Sequence, residues 1–317
     1  MGKKKNTTPP EAHLILPRHP SRASSPSPSS HTPTVDTHTH LLSTFHAYQS
    51  AYKPGQHATV FDFVRALYAD HRVEAIVDVW CEAPPLRAMW KEIADSALDE
   101  EKRKELWGGM HIEAMAHPRC VGWGEIGLDY HYDNSPRSLQ QDIFARQLRH
   151  AVRLGKPLTI HTREAEDDTE RILKAEVPKD HRIHIHCYTD SPEWAARMLA
   201  HFPNLYIGIT GVITYATNLN TSAVIRDMIK SAGDVPAPDS SLRIVLETDA
   251  PFMVPGNIYN SLPEVKGKRL PLCHTAMLPW TAEFVARVAN DAGNSSDWDV
   301  ERVMRISREN ARRMYGI

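Results

Sequence analysis

Residues 137–163, RSLQQDIFARQLRHAVRLGKPLTIHTR, decide the fold. Leu139, Ile143, Phe144, Leu148, Ala151 and Val152 recur at helical spacing over 137–154. Ser135 and Pro136 supply a start signal, and Gly155 a stop. KPLTIHTR, residues 156–163, then reads as a strand. This helix–strand unit repeats along the chain. Further strands are expected at 34–40, 74–80, 120–129, 182–187, 204–210 and 243–251, and further helices at 59–71, 86–106, 191–202, 279–292 and 298–315. Repeated β–α units imply a mostly parallel sheet with helices outside. Seven or eight of them in one chain favour a (β/α)8 TIM-type barrel within the α/β class. The alternative, an open doubly wound sheet, lacks its usual Gly-rich phosphate loop.

Working outward, the polar residues of these strands collect at one position. His161 ends PLTIH, His186 ends RIHIH, Glu125 ends VGWGE and Asp249 ends IVLETD. The first strand, TVDTHTH (34–40), ends in two histidines one residue apart. Side chains alternate along a strand, so His38 and His40 share a face, and Asp36 shares it too and could orient one of those rings. Taken alone, this stretch is either half of a metal site or an exposed polar strand end. In a parallel barrel, however, all these strand ends lie on the rim where active sites form.

Four histidines and two carboxylates on one rim are hard to read as core filling, because charged groups are rarely buried unpartnered. Imidazole with carboxylate suits Zn²⁺, Mn²⁺ or Mg²⁺. Six ligands exceed the need of one open catalytic ion. Two divalent ions bridged by a shared carboxylate, the arrangement used in phosphoryl hydrolysis, are therefore expected.

Composition fits this reading. The 317-residue chain is 41% hydrophobic and 24% charged, as soluble globular proteins are. No apolar run approaches the roughly 18–20 residues of a membrane helix, so no membrane partner is expected. A net charge of −2 gives no global basic field for nucleic acid, which leaves that role to a local patch or bound metal. Cys81, Cys120, Cys187 and Cys273 form no close sequence pair and read as free thiols in a reducing compartment, cytoplasmic or nuclear. Residues 1–33 are Pro- and Ser-rich with few apolar residues. They read as a disordered tail ahead of one hydrolase domain at 34–317.

The motifs DTHTH, GEIGLD, LTIHTREA, HCYTDS, ETDAP and the terminal NARRMYG run in order from residue 36 to the C-terminus. With them the chain resembles the TatD deoxyribonucleases, metal-dependent hydrolases of the amidohydrolase-like barrel superfamily. GWGEIGLDYHYDNSPR and LYIGITGVITY are most similar to the fungal branch of that family. The resemblance implies hydrolysis of DNA, commonly as an exonuclease on single strands, in DNA repair or degradation and with no obligate protein partner. It implies that His38, His40 and Asp249 hold one metal and His161 and His186 the second, with Glu125 bridging. The ions would be Mg²⁺ or Mn²⁺, with Zn²⁺ as the alternative. Arg163, two residues past His161, matches an arginine whose planar fork suits phosphate. Asp249 could also accept a proton from the attacking water. Glu247 shares Asp249's face and could support it.

Neighbouring residues carry plainer readings. His184, one pleat deeper than His186, reads as a hydrogen-bonded interior histidine rather than a ligand. Asp129 reads as structural. Tyr130 and Tyr188 could stack on bases or pack in loops. KGKR (266–269) reads as a solvated loop, with a phosphate contact as the second possibility. Two departures stand out. The interval where the family has a third strand, residues 81–117, reads as helix and loop, with His111 as a stand-in for the expected rim histidine. The barrel is therefore expected to be irregular there. The segment after ETDAP is long and carries LPLCHTAMLPW, so the substrate lip is expected to differ. Two other functions fit the same ligands: hydrolysis of a small amide or ester, and a scaffold with weak catalysis. Many binuclear amidohydrolases bridge their metals with a modified lysine on the fourth strand. Glu125 at that place favours the nuclease.

Overall fold

The computed structural model describes residues 8–23, 31–80, 117–132, 135–233, 238–293 and 297–317. Seven strands lie among them: β1 (Thr34–Thr39), β2 (Val73–Asp78), β3 (Trp123–Asp129), β4 (Leu158–Arg163), β5 (Ile183–Ile185), β6 (Leu205–Ile209) and β7 (Ile244–Leu246). All pair in parallel. β1 pairs with β2, and β3 to β7 pair in chain order. The two sheets meet beyond the end of β7. Thr39 bridges Ala250, the His40 N–H donates to the Ala250 carbonyl at 3.0 Å, and the Asp249 N–H donates to the His38 carbonyl at 2.9 Å.

The wall thus runs β2-β1-β7-β6-β5-β4-β3, the order of a barrel followed around its circumference. This is the α/β, TIM-type class expected from the sequence. In the chain, β2 and β3 are separated by an interval that includes residues 81–116. The expectations for the shortened third strand and for His111 lie there, outside the described residues.

Helices cover the wall. Helix Arg137–Arg153 buries Phe144, Leu148 and Ala151, while Leu139 and Ile143 of the same apolar stripe remain exposed. Thr59, Ser191 and Asp299 cap helices Val60–Tyr68, Pro192–His201 and Val300–Tyr315 by accepting a backbone N–H with their side chains. Gly316 ends the last helix in the left-handed conformation. The main core lies between sheet and helices, around Leu158, Ile160, Ile183, Ile207, Trp194 and Val285.

β5 and β7 stop earlier than the sequence pattern suggests. Cys187 (φ 44°) and Asp249 (φ 50°) turn the backbone left-handed just past them, while the His186 N–H still donates to the Ile160 carbonyl of β4 at 3.0 Å. Among the described residues Cys120, Cys187 and Cys273 are free thiols, and no helix is long and apolar enough to cross a membrane.

A polar column runs inside the barrel. The Tyr315 hydroxyl sits 2.7 Å from both Thr159 Oγ1 and His184 Nδ1. His184 Nε2 faces Glu247 Oε2 at 3.0 Å, and both residues are fully buried. A Cβ on Gly208 would collide with Glu247 and His184, so only glycine leaves room for this pair. His184 is therefore the interior hydrogen-bonded histidine that the sequence suggests. Tyr315→Phe removes the hydroxyl and leaves two buried groups short of a partner. Its expected cost is about 1–3 kcal/mol, read from the denaturant midpoint. An unshifted midpoint would show that the column carries no stability.

Residues 8–23 correct the expectation of a disordered tail over 1–33. Leu14 and Leu16 are 1% and 2% exposed, packed in a second core with Phe45, Tyr48, Phe63, Leu272 and Trp280. Their carbonyls accept from His274 Nε2 and His71 Nε2, both at 3.0 Å. Burial pushes His274 down to about 3, with nearby His71 adding to the shift, so it stays neutral. Arg22 Nε pairs with Glu301 at 2.7 Å. Average composition hides the one local apolar run, LIL at 14–16, that makes this contact.

Candidate metal centre

β1 places His38 within its last residues, and His40 follows the strand directly. Their Nε2 atoms approach to 3.3 Å. Asp249 Oδ1 lies 3.7 Å from His38 Nε2 and 3.5 Å from His40 Nε2. β3 brings in Glu125. Its Oε2 lies 3.6 and 3.9 Å from the same two nitrogens. Its Oε1 faces the opposite way, 2.8 Å from His161 Nδ1 on β4 and 2.8 Å from His186 Nε2 just past β5. Those two nitrogens are 3.0 Å apart. The structure thus brings together all six residues expected as ligands, with one carboxylate divided between two histidine pairs.

Close packing enables this approach. Gly127 pairs in register with His161, and a Cβ there would strike the His161 carbonyl. His38 stacks on His186, ring centroids 4.1 Å apart. Asp36 is fully buried and ties the strands rather than a ligand ring. It accepts from the His38 N–H, the Thr248 N–H and the hydroxyls of Thr248 and Thr275. Burial lifts its carboxyl to about 7 despite these bonds.

The electrostatics suit a cation. Burial alone would raise the Glu125 carboxyl, but His186, His161 and His38 hold it far below the usual carboxylate range. Burial would lower His161 and His186, yet Glu125 raises both, helped at His161 by Asp129 and at His186 by Glu247 and Asp249. His38, crowded by His186, His40 and His184, is lowered by burial first and by those neighbours second. Burial raises Glu247 to about 8.

The donor set fits a divalent ion on its own chemistry. His40 Nδ1 faces the Val79 carbonyl at 2.9 Å, which places the proton of a neutral ring there and leaves Nε2 a lone pair. That lone pair, the His38 nitrogen and two carboxylates converge without enough protons to share. His38 Nδ1 and His186 Nδ1 are buried with no hydrogen-bond partner among the described residues. Ligand atoms lie within 4.8 Å of one another in three groupings: His38, His40 and Glu125; Glu125, His161 and His186; and His38, His186 and Glu247.

Asp129 does more than hold a turn. Its Oδ2 lies 3.3 Å from His161 Nε2, and its Oδ1 accepts from the His131 and Tyr132 N–H groups. A carboxylate on the far nitrogen of a ligating histidine fixes the ring's orientation. This role depends on a contact between β3 and β4, which sequence spacing does not report. Asp129→Asn should weaken Mn²⁺ binding by about 10–100-fold, measured by calorimetry. Unchanged affinity would return Asp129 to a purely structural role.

Other rim residues sort clearly. Tyr130 and Tyr188 are buried, bonded to Asp168 and the Ser191 carbonyl, so they pack in loops rather than stack on bases. Arg163 reaches over the ring of Tyr132, 5.0 Å from its centroid. Lys266, Gly267 and Arg269 of KGKR are exposed. Glu247 meets His184 and the Cys187 N–H; it supports the centre from below rather than through Asp249.

A parallel α/β barrel with a histidine–carboxylate cluster on the rim defines a metal-dependent hydrolase. The family described as "TatD related DNase" matches residues 35–316, and the chain belongs to it. It is 30% identical over 305 residues to the human protein named 3'-5' RNA nuclease TATDN2. That match covers 89% of this chain but 35% of the human protein, so the chain spans about a third of that relative's length. It is 29% identical over 205 residues to YabD of Bacillus subtilis, named an uncharacterized metal-dependent hydrolase, covering 65% of this chain and 69% of that one. Among solved structures, a TatD family hydrolase of Entamoeba histolytica superposes with a TM-score of 0.62 at 18% identity. It covers 90% of this chain and 98% of its own. YJJV, a TatD homolog of Escherichia coli, gives 0.55 at 20% identity over the same shares. These two share the fold.

Proposed function

We propose that the chain is a metal-dependent nuclease that hydrolyses phosphodiester bonds of DNA, working from the ends of single strands. The observation that carries this reading is the split of Glu125, with Oε1 toward His161 and His186 and Oε2 toward His38 and His40. Divalent ions held by these groups would supply a water of lowered pKa and neutralise charge on phosphorus. His38, His40 and Asp249 would hold one, His161 and His186 the other, and Glu125 both. Mg²⁺ and Mn²⁺ suit the mixed set, with Zn²⁺ as the alternative.

The chain's own residues do the rest. Asp249, beside the first pair, accepts the proton of the attacking water. Arg163 binds the phosphate with its planar guanidinium fork. An RNA substrate is the second reading, and the name of the human relative favours it. Either substrate fits a role in nucleic-acid repair or degradation in the cytoplasm or nucleus without an obligate protein partner.

The test is a panel of Mg²⁺, Mn²⁺ and Zn²⁺ against single-stranded DNA, duplex DNA and single-stranded RNA. Release of mononucleotides from single-stranded DNA, abolished by chelator, is expected. Faster release from RNA would move the assignment to the second reading. Hydrolysis of small amides or esters with no nucleotide release would overturn both. In the same assay Arg163→Ala should raise KM about tenfold or more with metal content retained, as loss of a charge-assisted hydrogen bond does. An unchanged KM would remove Arg163 from the binding site.

A further inference from the structure

Among the described residues, the two most exposed aromatic rings flank the metal ligands. Tyr132 is 62% exposed and Phe252 58%. Single exposed apolar residues are ordinary, so position and mounting decide whether these two matter. The Tyr132 N–H donates to Asp129 Oδ1, and the other oxygen of that carboxylate meets the ligand His161. Arg163 stacks on its ring, and His131 packs against it edge-on at 5.0 Å. His131 in turn bonds Glu164 at 2.7 Å, which ties the loop after β3 to the loop after β4. Glu164 holds a left-handed φ of 56°, a conformation that costs energy and collects at functional rims.

Phe252 stands on the other side, where β7 meets β1. Its N–H donates to the carbonyl of the ligand Asp249 at 3.0 Å, and the Pro251 carbonyl before it accepts from the Cys273 N–H at 2.8 Å. Both rings are thus fixed to backbone that also fixes a metal ligand, yet they cover no core. Burying them would be the default for aromatic side chains of this size.

We propose that Tyr132 and Phe252 are stacking platforms for unpaired nucleobases on the two sides of the metal centre. This deepens the nuclease reading and rests on it. Every base offers a π-face, so two bare rings beside a phosphate-binding guanidinium recognise single-stranded nucleic acid without reading its sequence. Arg163 occupies one side of the Tyr132 ring, so base and phosphate of one nucleotide can be met by adjacent groups. Bases inside a duplex are already stacked on one another and cannot reach such platforms without unpairing.

The experiment compares a fluorescent single-stranded oligonucleotide with one of the same length carrying abasic tetrahydrofuran units. Binding is measured by anisotropy in EDTA, so that no turnover intervenes, and KM is measured with Mn²⁺. The wild-type protein should bind the base-bearing strand at least about tenfold more tightly. Tyr132→Ala and Phe252→Ala should each reduce that preference, and the double variant should abolish it. Tyr132→Phe and Phe252→Tyr, which keep the ring, should retain it, with melting temperatures confirming that all variants fold. A wild-type protein that handles both strands equally, or an alanine double variant that keeps the preference, overturns the proposal while leaving the nuclease reading intact. Failure to bind or cleave either strand under both conditions overturns the nuclease reading and this proposal with it.

Discussion

Glu125→Ala should lose nuclease activity by about two or more orders of magnitude, the scale of removing a key electrostatic stabiliser from a reacting centre. Among the described residues, no other carboxylate has one oxygen toward His161 and His186 and the other toward His38 and His40. Without it, two dications would repel across a site with one negative charge fewer. At least one should dissociate, so bound metal should fall along with the rate. The fold should survive, because Glu125 stands at the rim and its loss removes no core packing. Rate, metal content and melting temperature together check the claim. Near-normal activity with normal metal content in this variant would refute the bridged centre.

The gathering of six polar residues at one rim was legible because it depends on two local rules. Side chains alternate along strands, and parallel strands deliver their C-terminal ends to one rim. These rules place His38, His40, Glu125, His161, His186 and Asp249 together; the pairing of them as ligands came from the family resemblance. What surrounds them was less legible. The Asp129–His161 contact, the Glu247–His184 pair and the tying of β1 to Thr248 and Thr275 by Asp36 all join residues distant in sequence. No periodicity announces them. Helices Leu41–Ala51, Glu166–Glu176 and Asn220–Ser231 also escaped the pattern. Glu166–Glu176 buries only Thr169, Ile172 and Leu173 on an otherwise polar surface, and Leu41–Ala51 opens directly on His40 with no capping side chain, whereas Asn220–Ser231 carries a legible apolar stripe of Val224, Ile225, Met228 and Ile229.

The packed N-terminal segment escaped for a different reason, and it gives the second large prediction. Leu14→Ala with Leu16→Ala should destabilise the chain by about 4 kcal/mol or more, since each buried leucine lost costs about 2–5 kcal/mol. That is a large share of the roughly 5–15 kcal/mol that holds a domain folded. The two side chains fill a core shared with Ala250 and Cys273, and the Leu14 carbonyl anchors His274. Next to it, Thr275 bonds Asp36, which in turn bonds the His38 N–H. The damage should therefore reach the metal centre as weaker metal binding as well as a lower melting temperature. A double variant that melts with the wild-type protein would mean that this segment is only an appendage.

The most direct test of the centre itself is anomalous scattering from crystals soaked in Mn²⁺. Two peaks are expected, one among His38, His40 and Asp249 and one between His161 and His186, each within bonding distance of a different oxygen of Glu125. Manganese bound only at places away from Glu125, or a single ion that Glu125 does not touch, would contradict the account.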